Sequence, residues 1–175
     1  PHPLAMNGIE VGLSLGSNLD DRLANLQAAR AAIAALPEVA LFASAPIYET
    51  EPIGVPAEYA QQYFYNTILI LGTSLDAHKL FAHLQKIELA LGRKRTLRQN
   101  TPRVIDIDLI YYNGQTIRSG GLVVPHPRWT KRRFVLQPLA DVRDYLVIPG
   151  HDRRVRDILA ALPPGQTIKK VRTEW

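Results

Sequence analysis

The chain has 175 residues, 46% of them hydrophobic and 21% charged, a balance that suits one unit folding around its own apolar core. No run approaches the roughly 20 consecutive apolar residues of a membrane-spanning helix, and the absence of cysteine excludes disulfides and thiolate metal sites. A formal charge of +5 admits an anionic partner, whether nucleic acid, nucleotide or phosphorylated metabolite, without choosing among them.

Residues 1–8 (PHPLAMNG) lack the basic start and apolar core of a secretory signal. They read as an extension, so a single domain is taken as residues 9–175, and a cytoplasmic location is expected. Residues 9–15 (IEVGLSL) are strand-like and end in the turn-forming Gly16-Ser17-Asn18. In residues 20–36, Leu23, Leu26, Ala29, Ile33 and Leu36 recur at helical spacing behind an acidic start, and Pro37 ends the helix. Residues 39–49 (VALFASAPIYE) read as strand, residues 51–62 as a loop with a helical turn at its end, and residues 64–71 (FYNTILIL) as strand again. Ser74 and Asp76 can cap a helix over residues 75–91, whose stripe is Leu80, Leu84, Ile87 and Leu91 and whose stop is Gly92. After a basic linker comes the strand 103–112 (RVIDIDLIYY). The order β-α-β-β-α-β predicts an α+β, ferredoxin-like core, an antiparallel sheet with both helices on one face. Residues 113–175 add Pro- and Gly-rich loops, a short helix at 153–162 and an extra strand pair.

Alternation along 103–112 turns Val104, Asp106, Asp108 and Ile110 one way and Ile105, Ile107, Leu109 and Tyr111 toward the core. The two aspartates then have Cα atoms about 6.5–7 Å apart, near enough to ligate one hard cation or bracket two, and the donor type suits Mg²⁺. A bare D-x-D fits equally well a solvated sheet face bonded to arginines. Residues 92–103 (GRKRTLRQNTPR) place Arg93, Lys94, Arg95, Arg98 and Arg103 just ahead of the pair, and guanidinium forks match phosphate oxygens. Alone, such a run also reads as a solvated or nucleic-acid-binding loop. His126, between two prolines in VPHPRW, has a fixed direction, although a lone histidine is more often structural. Glu88 reads as a helix-surface charge. Gly16-Ser17-Asn18 lies between strand and helix, where phosphate loops sit, but G-x-x-x-x-G-K-[ST] is absent.

In chain order, LGSN (15–18), YETEPIG (48–54), YNT (65–67), IE (87–88), GRKR (92–95), PRVIDIDLI (102–110), VPHP (124–127) and RRFVLQPLA (132–140) resemble the 6-hydroxymethyl-7,8-dihydropterin pyrophosphokinase family. The resemblance implies transfer of the β,γ-diphosphate of ATP to the pterin's hydroxymethyl group, releasing AMP, in folate biosynthesis. It implies two Mg²⁺ ions on Asp106 and Asp108, with ATP as co-substrate. Asn66 would pair with the pterin edge, Phe64 and Phe134 would stack on its faces, and Thr50, Ile53 and Gly54 would offer loop contacts. Glu88, His126, Arg132 and Gln85 match positions associated with ATP, and Arg93, Arg95 and Arg103 match catalytic-loop and phosphate-binding arginines. The partners implied are these small molecules, with no nucleic acid and no membrane. A monomer is expected, with association with other folate enzymes left open. Three departures stand out: Gln99-Asn100-Thr101 where the family commonly has Arg-Trp-Gly, Val104 where threonine is usual, and a longer stretch from Gly54 to Phe64. Two rivals remain. A single-stranded nucleic-acid module would need the K/R-G-F/Y-G/A-F-V-x-F/Y pattern, which is missing. A two-metal nucleotidyl transferase would release pyrophosphate instead of AMP.

Overall fold

The computed structural model describes residues 8–92 and 102–175. Its elements in order are β1 (Ile9–Ser17), α1 (Arg22–Ala34), β2 (Val39–Ser44), β3 (Ile47–Thr50), β4 (Phe64–Thr73), α2 (Ala77–Ala90), β5 (Asp106–Tyr112), β6 (Ile117–Ser119), β7 (Leu122–Val124), α3 (Arg133–Arg143), α4 (Val155–Ala161) and β8 (Ile168–Arg172). Single 3₁₀ turns lie at Ala57–Tyr59 and Trp129–Lys131. The main sheet runs β5-β1-β4-β3-β8 with β2 also on β4, every pairing antiparallel. This is the expected ferredoxin-like arrangement. Helix starts follow local chemistry: the Asp21 carboxylate accepts from the Ala24 amide at 3.0 Å and that of Asp76 from Lys79 at 2.9 Å. Gly92, at φ +107°, follows the end of α2, in a conformation side-chain-bearing residues rarely adopt. Among the described residues no helix is long and apolar enough to cross a membrane.

The sheet carries a core on each face. On one, Leu26, Ala29 and Ile33 of α1 and Leu80, Leu84 and Ile87 of α2 pack on Val11, Leu13, Leu15, Leu69, Leu71, Ile107 and Leu109. On the other, Val135, Leu136 and Leu139 of α3 and Val155 of α4 pack on Ile68, Ile70, Ile110 and Tyr111. Helix α3 lies in the stretch expected to be Pro- and Gly-rich loop, and it contains Pro138. The ring removes one backbone donor, but Pro138 is itself buried beside Val135, Leu136 and Leu139, and that burial outweighs the lost bond. Since α3 and α4 cover only part of this face, the neighbouring polar positions of β1, β4 and β5 stay uncovered.

Two further expectations are corrected. Residues 39–49 form two strands, since Ala45 and Pro46 break the ladder between β2 and β3. Tyr111 does not share a face with Ile107 and Leu109. The pairing of β1 with β5 shifts between Gly12 and Leu13, leaving Ile110 as the extra residue. Past that bulge the alternation is reset, so Tyr111 joins the second core and Tyr112 the first. Gly12 makes this possible, because a Cβ there would lie 2.3 Å from the Tyr111 ring. Two C-terminal expectations hold, since β6 and β7 are the strand pair and α4 lies within 153–162, while β8, which extends the main sheet beside β3, was not expected.

Candidate active site

The uncovered part of the second sheet face is built by alternation. Gly16 of β1 sits opposite Asn66 on one side and Asp106 on the other, while Ser14 sits opposite Asp108. Asn66 is buried, and its Nδ2 donates to the Thr50 hydroxyl at 3.0 Å. Gly16 leaves it room: a Cβ at that position would approach Asn66 Oδ1 to 2.8 Å. Phe64, the first residue of β4, pairs with Thr50 and shares the face of Asn66.

Strand β5 is an edge strand, and its outward backbone groups are satisfied by two residues of interest. The Ile107 amide donates to Glu88 Oε2 at 2.9 Å, and the His126 amide donates to the Ile110 carbonyl at 2.9 Å. Glu88 is therefore a buried acceptor, 4% exposed, and not the surface charge its helix position suggests. The His126 ring accepts at Nδ1 from the Arg128 amide at 3.1 Å. Burial, with Arg132 and Arg128 nearby, pushes its pKa down to about 4 against the opposing pull of Asp106. The imidazole is thus neutral near pH 7 and carries its proton on Nε2.

Arg103 reaches the site because Asn18 clamps its backbone. The Asn18 amide donates to the Arg103 carbonyl at 3.1 Å, the Arg103 amide donates to Asn18 Oδ1 at 2.7 Å, and Arg103 Nη1 meets Asp106 Oδ1 at 3.2 Å. The turn-forming Asn18 thus holds protein backbone. Burial lowers the pKa of the Arg132 guanidinium, with Asp108 the largest opposing influence, and its carbon stands 5.5 Å from the Phe134 ring centre. Arg93 and Arg95, with Arg98 and Gln99-Asn100-Thr101, lie outside the described residues.

These groups line one cleft of about 1190 Å³. It brings together Asp106, Asp108, Arg103, His126 and Arg132 with Gln85 and Glu88 of α2, and with Thr50, Ile53, Phe64, Asn66 and Phe134. Gly54, at φ +67°, is exposed and does not line it. Alternation could have found Ser14, and helical spacing ahead of Gln85 and Glu88 could have found Phe81; both line the cleft. Arg128, Lys131 and Arg133 belong to the basic run after His126. Leu162, Pro163, Gly165 and Gln166 carried no signal at all, because they arrive through the tertiary fold. Among the described residues no group of three or more His, Cys, Asp or Glu could hold a metal ion. The donor set is instead two carboxylates one strand step apart, which fits Mg²⁺ completed by water and phosphate oxygens.

Comparison with known proteins identifies the family. The model of the 7,8-dihydro-6-hydroxymethylpterin-pyrophosphokinase family matches residues 12–144. A 2-amino-4-hydroxy-6-hydroxymethyldihydropteridine pyrophosphokinase of Methylorubrum extorquens is 41% identical over 153 residues, covering 87% of this chain and 93% of the relative. The Pseudomonas aeruginosa protein of the same name is 40% identical over 153 residues, covering 87% and 91%. Among solved structures, Plasmodium falciparum HPPK-DHPS with pteroate superposes with a TM-score of 0.67 at 15% identity, over 87% of this chain and 42% of that longer one, a likeness of fold. By the family match and by these relatives of nearly its own length, the chain belongs to the 7,8-dihydro-6-hydroxymethylpterin-pyrophosphokinase family.

Proposed function

We propose that the protein transfers the β,γ-diphosphate of ATP to the hydroxymethyl oxygen of 6-hydroxymethyl-7,8-dihydropterin, releasing AMP, in folate biosynthesis. The observation that carries this reading is the composition of one cleft: carboxylates and cations at one part, a buried amide and two aromatic rings at another.

In this mechanism Asn66 presents Oδ1 and its remaining N–H to the edge of the heterocycle, while Thr50 fixes the amide's orientation. Phe64 and Phe134 supply apolar faces for a flat ring. Asp106 and Asp108 would hold the two Mg²⁺ ions, which would supply charge neutralisation at the phosphates. Arg103, Arg132 and the Nε2–H of His126 bind the triphosphate with Arg93 and Arg95, and Glu88 and Gln85 border the nucleotide. The pterin hydroxyl oxygen attacks the β-phosphorus, the bond from that phosphorus to the oxygen shared with the α-phosphate breaks, and AMP departs with that oxygen. The hydroxyl proton passes to solvent. Such displacement relies on in-line positioning and charge neutralisation, which fixed guanidinium groups supply without reorganising. Residues 9–175 act as one domain and as a monomer in the cytoplasm.

The nucleic-acid rival fares worse against the same cleft. A nucleic-acid module of this fold class reads bases on the sheet face away from α1 and α2. Here α3 and α4 cover part of that face, and Asp106 and Asp108 put negative charge on the uncovered part. The deciding experiment is an AMP-release assay in which ATP, the reduced hydroxymethylpterin and Mg²⁺ are omitted in turn. Release that requires all three is expected; release of pyrophosphate would favour nucleotidyl transfer instead.

A further inference from the structure

The C-terminal segment 162–166 forms a wall of the cleft that lies beyond residues 12–144 of the family match. Two side chains tie it down. Arg133, the first residue of α3, donates from Nη2 to the carbonyls of Leu162 and Pro163, each at 3.2 Å. Gln166 donates from Nε2 to the Glu51 carbonyl. The sheet register independently brings these partners together, since antiparallel pairing of Thr50 with Ile168 sets Gln166 beside the chain just after β3. That chain, Glu51-Pro52-Ile53, also lines the cleft, as does Phe134, the neighbour of Arg133. Exposed loop backbone is therefore joined to a sheet edge at one side and, through the segment, to the first turn of α3 at the other.

We propose that Gln166 and Arg133 are positioning residues: through the 162–166 segment they hold the 51–53 loop in the conformation that receives the heterocyclic substrate. The proposal rests on the pyrophosphokinase reading, and it deepens it by giving the heterocycle side of the cleft a fixed wall. Neither residue touches reacting atoms. Their effect falls on substrate binding, because a loop freed at Glu51 must be ordered each time the ring enters.

The test uses the full-length protein with Gln166→Ala, and with Arg133→Ala beside Arg133→Lys, which keeps a donor for the two carbonyls. Hydrogen exchange at the amides of Glu51, Ile53, Gly54 and Val55 reads the wall directly, without activity. AMP-release kinetics read its consequence. Expected are faster exchange confined to these amides and a KM for the pterin raised about fivefold, the loss of one neutral hydrogen bond, with kcat and the KM for ATP unchanged in Gln166→Ala. Arg133→Lys should restore part of what Arg133→Ala loses. Unchanged exchange in Gln166→Ala overturns the proposal, and so does faster exchange with an unchanged pterin KM. If wild-type protein releases no AMP, the functional reading falls, while exchange at residues 51–55 still decides whether the wall holds the loop.

Discussion

Replacing Gly16 by alanine puts a methyl group at the centre of the site floor, where β1 passes between Asn66 and Asp106. The new Cβ would stand 2.8 Å from Asn66 Oδ1, about 0.6 Å short of the 3.4 Å at which ordinary contact begins, while its 3.5 Å approach to Phe64 is comfortable. Relief must therefore come from Asn66. That residue is 5% exposed and its amide is held by Thr50 at 3.0 Å, so it cannot swing clear without bending or breaking this bond. Distorting one buried neutral hydrogen bond costs about 1–2 kcal/mol, which lowers Tm by roughly 3–6 °C for a chain of this length. The same displacement moves the group proposed to pair with the pterin edge, so pterin affinity should fall about 5–30-fold. The assay is AMP release with pterin varied at saturating ATP, then ATP varied at saturating pterin, alongside thermal unfolding. The KM for pterin should rise while that for ATP stays close to wild type. A Gly16→Ala protein with wild-type pterin KM would refute both the assignment of Asn66 and the steric reasoning.

Asp108→Ala should reduce AMP formation by about 10²-fold or more, the scale of losing a main electrostatic element of catalysis, while circular dichroism and pterin binding persist. Retained activity would remove the Mg²⁺ assignment. Glu88→Ala should lower stability by about 1–3 kcal/mol in urea unfolding, because the buried Ile107 amide loses its acceptor, whereas Glu88→Gln keeps an acceptor and recovers most of it. For His126, the native pKa of about 4 lies below the unfolded value of 6.5. Between those pH values the unfolded chain binds more protons, so His126 contributes a loss of stability as pH falls from 6.5 toward 4 and nothing above that window. The slope of the urea midpoint against pH across this range should flatten in His126→Gln, and an NMR titration of the ligand-free protein should show no His126 midpoint near 6.5.

Much of the site was legible because it is written in local, short-period patterns. Alternation along 103–112 put both aspartates on one face, and both line the cleft. The ordered motifs named Asn66, Phe64, Phe134, His126 and Arg132, and the cleft gathers all five. Glu88 was misread from its own surroundings because helical spacing says which face a residue occupies but not what covers that face. Here an edge strand covers it, and an edge-strand amide needs an acceptor. Tyr111 was misplaced because a bulge is an event between two strands: the period of one strand cannot announce that its partner skips a residue at Gly12.

By itself, the sequence determined the β-α-β-β-α-β order of the core through residue 112, the acidic start of α1, the cap at Asp76, the stop at Gly92 and the carboxylate pair. Each depends on residues within a few positions of one another, where backbone preference and side-chain periodicity dominate. Only the tertiary structure decided that α3 persists through Pro138, that Asn18 clamps Arg103, that Gly16 makes room for Asn66, and that residues 162–166 wall the cleft. Each of these joins segments far apart in the chain or depends on burial against them. The energy that settles them comes from long-range packing and from buried hydrogen-bonding groups finding partners, which no local window contains.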